Sequence, residues 1–422
     1  MTDPGYRTYE VYQRERVGQS TPDISPRDLI SERFLGDPYP TLTVLREQYP
    51  CYRDWGGNSF WVTRYDDVTS LLADEANFET RPRAWHLGLE EGRDLCHLPE
   101  VAAAWAAGIE SNAESVAGII VDRLVPGGRF DLARDLAARF PIELLVRVLD
   151  VPTIDRGALA DRYWRLHLGA GWEPRARAAG LQAAAELAAE FDRLLDERRA
   201  DPGPDLLSAV ALADVDGDKT TGSDVVATLL EIDHQTVHGS LANLWFLLLT
   251  HPDELMAVED DPRLMKSAYL EALRHSPPVQ TARRFTRREV ERFGRLLPEG
   301  ALVHCSAAAA NRDPRVFDDP DRFDIERKDL TQREPRGQYR ADGLPSGISV
   351  GTGPPSKHPA VPEDRPRSLY AITRDIVVTV SRTLLAAAPG LRIVDGADPS
   401  LRSLRLGEMR TCWSLPVESG SR

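Results

Sequence analysis

Tyr269-Leu270-Glu271-Ala272-Leu273-Arg274-His275-Ser276-Pro277-Pro278-Val279-Gln280 is the stretch on which the reading of this chain turns. Glu271 and Arg274 stand three apart, so on a helix they share a face and can pair with each other and with a third charged group. Glu-x-x-Arg alone is a weak signal. It gains weight from four further segments, met in order toward the C-terminus: Arg284, then Leu297-Pro298-Glu299-Gly300-Ala301-Leu302-Val303, Ala310-Asn311-Arg312-Asp313-Pro314, and Phe317-Asp318-Asp319-Pro320-Asp321-Arg322-Phe323.

Outward from this stretch, Ser223 is placed to N-cap a long helix running to His251-Pro252, because its hydroxyl can accept from the free N–H groups of a first turn. Asp37-Pro38-Tyr39-Pro40 opens a helical stretch to Gln48; Phe60-Trp61-Val62-Thr63 reads as a strand and residues 66–73 as a helix. Residues 155–199 read as two helices, with 183–198 strongly amphipathic. Asp201-Pro202-Gly203-Pro204-Asp205 is a turn cluster. Residues 368–385 read as a late helix, and 390–393 with 404–415 as closing β segments.

Taken together, these segments resemble the cytochrome P-450 family over roughly residues 37 to 417. The resemblance implies a mainly α fold with small β-sheets (α+β) and a long central I helix. It further implies a single domain over 37–422 behind a polar arm at 1–36. It makes Glu271, Arg274 and Arg322 a buried structural triad, and Arg284 the contact to a haem propionate. Asp150 stands where the family has Gly.

The departures from the family lie where its chemistry is done. The family's haem loop, Phe-Gly-x-Gly-x-His-x-Cys-x-Gly, falls on Ser346 to Pro359, with Val350 at the Phe, Gly351 and Gly353 at the glycines, and Pro355 at the His. Lys357 then replaces the cysteine, and His358 comes directly after it. The thiolate pushes electron density onto iron and favours O–O cleavage; neither a lysine nor an imidazole supplies that push. In the central helix, the family's Ala-Gly-x-Asp/Glu-Thr reads Ile232-Asp233-His234-Gln235-Thr236. Thr236 is kept, but Gln235 replaces the acid that a proton relay needs, and Asp233 replaces the Gly that leaves room for oxygen. His234 and His238 share one helical face, yet no third ligand is spaced to complete a metal site and Gln235 stands where a zinc-protease pattern wants Glu. No metal is expected. Gln235 and His238 read as pocket-lining, and in an enzyme Asp233, His234 and Thr236 would be the catalytic candidates. Upstream, the family's Asp-x-Pro-x-His-x-x-x-Arg is replaced by Trp85-His86-Leu87-Gly88-Leu89-Glu90-Glu91-Gly92-Arg93. Its carboxylates would repel a dianionic haem edge if they faced it.

The chain has 422 residues, 42% hydrophobic and 28% charged, with a formal net charge of -14. That balance argues against nucleic acid, whose binding needs a cationic face to displace counterions, and against an anionic membrane surface. The longest apolar helix, near Leu241 to Leu249, is too short to span a bilayer. Met1 to Arg16 is polar and lacks the apolar segment of a signal peptide, so a cytoplasmic protein is expected. Cys51, Cys96, Cys305 and Cys412 have no paired spacing, so neither a disulfide framework nor a zinc knuckle is indicated.

This pattern admits three functions. The first is a haem-free auxiliary protein of specialised-metabolite biosynthesis that activates a glycosyltransferase partner. It is similar to the auxiliary proteins of deoxysugar glycosyltransferases in macrolide and anthracycline biosynthesis, which have this fold without the cysteine. The second is a repurposed enzyme that uses the vacated haem cavity for a small-molecule ligand without thiolate-ligated iron. The third is a haem protein with Lys357 or His358 as ligand, which the sequence disfavours.

Overall fold

The computed structural model describes residues 24–72, 74–151, 154–171, 174–232, 234–331, 369–404 and 409–420. The haem-loop positions Gly351, Gly353, Pro355, Lys357 and His358, and Asp233 of the central window, lie outside these residues. His234 and Gln235 belong to a helix, but their side chains also lie outside the description.

The chain enters through α1 (Glu32–Gly36) and α2 (Tyr39–Gln48), then β1 (Cys51–Asp54), β2 (Ser59–Val62), α3 (Tyr65–Leu72), β3 (Phe78–Glu79) and α4 (Arg83–Leu87). A helical layer comes after them, with α5 (Pro99–Leu124), α6 (Phe140–Val148), α7 (Arg156–Gly169) and α8 (Pro174–Ala200). Next are α9 (Gly222–Glu231), α10 (His234–Thr250), α11 (Met265–His275), β4 (Thr281–Thr286), β5 (Leu302–Ser306), α12 (Leu369–Ala387), β6 (Leu401–Ser403) and β7 (Arg410–Cys412). Shorter elements complete the fold. The main sheet has five strands in the order β1-β2-β5-β4-β3; β2 and β5 run parallel and the other neighbours antiparallel. This is the mainly α architecture with small sheets that the resemblance implied.

Residues 24–36, expected to belong to a polar arm, are part of the packed body. Ile24, Leu29 and Leu35 are buried, and Ser31 caps α1 by accepting from the Phe34 N–H at 3.1 Å. Their apolar side chains have the bottom of the sheet to cover, which a polar average over the arm conceals. At Asp150 the backbone has φ 51°, the left-handed region that Gly adopts freely and that Asp tolerates better than most residues.

The central helix departs from expectation at both its start and its middle. Its cap is Thr221, not Ser223: the Thr221 hydroxyl accepts from the Asp224 N–H while the Asp224 carboxylate accepts from the Thr221 N–H at 2.7 Å, a reciprocal capping box. The expected single helix is two. Ile232 ends α9 in an extended conformation, φ -68° and ψ 109°, and α10 restarts at His234. A β-branched side chain is stiff at χ1 and a modest helix former, and Glu231 is held sideways by the Arg83 N–H, which donates to its carboxylate at 2.5 Å. Beyond the break, α10 forms the hydrophobic axis. Leu241, Leu244, Trp245 and Leu248 are fully buried, and the Trp245 indole N–H donates to Ser381 of α12 at 3.2 Å. Asn243 donates to the carbonyls of Ser276 and Arg410 at 3.0 Å each and accepts from the Cys412 N–H at 3.2 Å, so this buried amide ties α11 and β7 to the axis. Gly239 is required by the same approach, since a Cβ there would lie 2.5 Å from Pro278 Cβ.

The Glu271 cluster forms, with one substitution in its membership. Glu271 is wholly buried and Arg274 nearly so; Arg274 Nε and Nη2 donate to the carboxylate at 2.7 and 2.6 Å. The third cation is Arg327, whose Nε lies 3.3 Å from Glu271 Oε1 with its side chain 5% exposed. Arg322, the expected third member, has a side chain 64% exposed, and only its carbonyl joins the cluster, accepting from Arg274 Nη2 at 2.9 Å. The reason is a turn through Asp319 at φ 42°, after which the chain presents backbone at 322 and returns a side chain inward at 327. Glu271→Gln, which takes the Glu271 charge from buried Arg274 and leaves Arg327 with Asp329, should destabilise by about 3–5 kcal/mol. Arg322→Ala should stay within about 0.5 kcal/mol of the parent, whereas Arg327→Ala should cost more; urea unfolding of these two arginine variants decides between Arg322 and Arg327 as the third partner.

Candidate functional site

The alternation of a strand decides which charges reach the interior. In β4, Arg284 is opposite Val303 and Arg283 opposite His304. Successive side chains point to opposite faces, so Arg284 joins Ala282, Val303 and Cys305 in the layer packed on α3, where it is buried and its guanidinium donates to the Arg283 carbonyl at 2.9 Å. Arg283 and Phe285 take the other face, on the wall of a cavity of about 470 Å³. Arg284, the residue expected at a haem propionate, is placed beside Val303, while the loop expected to hold a haem lies outside the described residues. Arg283 is the cation on the cavity side, and sequence reasoning missed it because two adjacent arginines differ only in strand phase.

That cavity is also lined by Arg53, Phe60, Trp85, His86 and Arg177. Arg53 is held by donating to the Ser59 carbonyl at 2.9 Å and to Asn58 Oδ1, and its guanidinium lies over Trp55 and Phe60. Burial, and then the guanidiniums of Arg283, Arg83, Arg81 and Arg177, push the His86 imidazole down to about 3, so it is neutral. A second cavity of about 580 Å³, lined by Leu29, Phe34, Leu42, Trp61 and His304 among others, adjoins it at Gly57 and Asn58.

In the segment that replaces the family's C-helix motif, Glu90 and Glu91 are exposed on a loop, so they do not face the interior. Arg93 is committed elsewhere. Its Nε and Nη2 both reach the Asp224 carboxylate at 3.0 Å, and its backbone N–H donates to the same group at 2.7 Å. This bidentate pair fixes the start of α9. Gly92, at φ 108°, permits it, since a Cβ there would lie 2.5 Å from the Ser223 carbonyl oxygen.

Thr236 and His238 are buried. His238 lines neither cavity; its ring sits between Trp164 and Trp413 at centroid distances of 5.3 and 5.8 Å, and its Nδ1 has no hydrogen-bond partner among the described residues. Burial lowers its pKa to about 4. The gap enclosed by Trp105, Leu145, Tyr163, Ile232, Val237 and Ile376 measures about 30 Å³, room for little more than one water.

Among the described residues, the cysteines sit away from the place of the family's ligand loop. Cys51, Cys305 and Cys412 are buried in β-strands, and Cys96 lies against α9, its thiol 3.8 Å from the Thr228 carbonyl. Burial pushes the thiols of Cys305 and Cys412 up to about 12, and burial followed by Asp94 raises that of Cys96. None of them belongs to the loop at 346–359, and Arg93 is paired with Asp224.

The fold and the Glu271 cluster define the cytochrome P450 class of protein. The family model described as Cytochrome P450 matches residues 263–340, the span that contains Glu271, Arg274 and Arg327. Cytochrome P450 107B1 of Saccharopolyspora erythraea is 34% identical, over 73% of this chain and 82% of its own length. Cytochrome P450 monooxygenase PikC of Streptomyces venezuelae is 31% identical, over 73% and 79%. Among solved structures, CalO2 superposes with a TM-score of 0.71 at 26% identity, covering 93% of this chain and 98% of its own. The chain belongs to the cytochrome P450 family.

His86, His238 and His304 are all neutral in the fold, His304 at about 3 through burial and then Arg283. Their folded pKa values lie below the unfolded 6.5, so the unfolded chain takes up protons that the fold refuses. The contribution of these three groups is complete above about pH 6.5 and is lost progressively as pH falls toward about 4 for His238 and about 3 for His86 and His304. His238→Phe should flatten this slope between about pH 6.5 and 4 in urea titrations; an unchanged slope would show that His238 takes no part in the acid response.

Proposed function

We propose that this chain is a haem-free member of the family that serves specialised-metabolite biosynthesis as the auxiliary, activating partner of a glycosyltransferase. The observation that carries the reading is the buried Glu271–Arg274–Arg327 cluster, kept whole in a chain with no cysteine between Cys305 and Cys412. The scaffold is maintained and the thiolate is not. Names among the relatives, such as 6-deoxyerythronolide B hydroxylase of Saccharopolyspora erythraea at 30% identity, support natural-product metabolism as the setting. An activating partner needs only a surface that prefers one state of the protein it binds. Trp85, Leu168 and Leu181, respectively 51%, 41% and 38% exposed on α4, α7 and α8, are apolar side chains available to such a surface. Among the described residues, no helix is long and apolar enough to cross a membrane.

A second reading is a P450-fold enzyme working on a small molecule without thiolate-ligated iron, with Asp233, His234 and Thr236 as its acid–base candidates. The cationic cavity beside His86 favours it. Protein expressed with haem precursor and then mixed with hemin should show no stoichiometric Soret band. A deoxysugar glycosyltransferase co-expressed with it should co-purify and gain activity. A Soret band at one haem per chain would overturn the haem-free reading and direct attention to Lys357 and His358; a colourless protein that leaves glycosyltransferases unaffected would favour the second reading.

A further inference from the structure

We propose that the cavity of about 470 Å³ at the Leu302 end of the sheet is a binding site for a small organic anion, a carboxylate or phosphate carried on a flat ring. This goes beyond the auxiliary role and stands whether or not a glycosyltransferase is the partner.

Three observations converge on that chemistry. The first is charge. The chain as a whole carries 66 acidic against 52 basic side chains, yet this wall inverts the balance: Arg53, Arg177 and Arg283 line it, and Glu299 is its one carboxylate among the described residues. Glu299 is exposed, so solvent screens it far better than it screens a charge held against a low-dielectric wall. The second is the convergence of the guanidiniums. Arg177 and Arg283 line the cavity together with the His86 ring. With one ring nitrogen protonated and the other free, His86 can donate or accept a hydrogen bond there.

The third observation is shape. Trp85 and Phe285 meet edge to face, with centroids 5.5 Å apart and planes at 70°, while the Arg81 guanidinium lies 4.3 Å from the Trp85 centroid and 4.1 Å from that of Phe285. Arg81 is itself held by Glu79 at 3.1 Å. A cation fixed over two aromatic rings makes a rigid corner, against which a flat ring packs while its acidic group reaches Arg283 and Arg177. The volume falls within the range of roughly 300–1,000 Å³ usual for small-molecule sites. Residues from both faces of the sheet meet at this end, Arg283 and Phe285 from one and Arg53 and Phe60 from the other.

The test uses a charged and an uncharged probe of matched shape on the full-length protein: 1-anilinonaphthalene-8-sulfonate and N-phenyl-1-naphthylamine, each titrated by fluorescence. The sulfonate should bind more tightly than the neutral amine and weaken as salt is raised. Arg283→Gln should weaken the sulfonate about tenfold, the value of one charge-assisted hydrogen bond, and leave the neutral probe within about twofold of its parent affinity. Arg177→Gln, at an exposed helical position, should act in the same direction, and it keeps the proposal testable if the first variant folds poorly. Glu299→Gln should tighten the sulfonate. Benzoate and phenyl phosphate should displace it. Equal loss of both probes in the arginine variants, or no loss of either, would overturn the proposal. So would displacement of the sulfonate by hemin alone in step with a Soret band, which would assign the cavity to the edge of a haem.

Discussion

A carboxylate with no exposed surface holds the C-terminal half of this protein together. Glu271 accepts from two nitrogens of Arg274, from Arg327 and from the Asp324 N–H at 3.0 Å. Arg274 in turn donates to the carbonyls of Asn311, Pro320 and Arg322. A charge so deeply buried is tolerated only when it is paired and its remaining lone pairs are satisfied. The consequence is architectural. The end of α11 is fixed against the loop from 311 to 329, and the polypeptide leaving α11 becomes β4, from which Arg283 and Phe285 reach the cavity. Nothing in the cluster touches that cavity, so the scaffold and the site can change independently.

That independence accounts for much of what was legible in the sequence. Glu271 and Arg274 were readable because helical spacing alone brings them together. The third partner was not, because membership depends on whether the turn at Asp319 presents backbone or side chain, and the pattern Phe-x-x-x-x-Arg-Phe carries no record of it. Thr221 and Ser223 are both competent caps; only the reciprocal bond with Asp224, itself clamped by Arg93, selects the first. The break at Ile232 is likewise tertiary in origin, since it coincides with a tie from Glu231 to the backbone of α4. The apolar residues at 24, 29 and 35 are too sparse to register as an element until the sheet supplies the surface that they cover.

The interior differs in kind from the core. The core is a set of apolar helices around Trp245, in which the buried amide of Asn243 has found its partners. The cavity wall instead concentrates guanidiniums and keeps its imidazole neutral. Sequence reasoning concentrated on the central helix, where the family does its chemistry. The features of the wall lie in five other segments, around 53–60, 85–86, 171–177, 283–285 and 298–302, which only the fold brings side by side.

The phase of β4 also bears on how the protein could change over time. Strand alternation has a period of two, so the arginine that faces the interior is set by the count of residues between α11 and the sheet. No single-base substitution in Arg283 or Arg284 turns one of them to the other face. An insertion or deletion of one residue would exchange them, and it would exchange every neighbour along the strand as well, moving Phe285 off the wall and pushing a charge into the layer on α3. The present arrangement thus depends on the register of the strand as a whole.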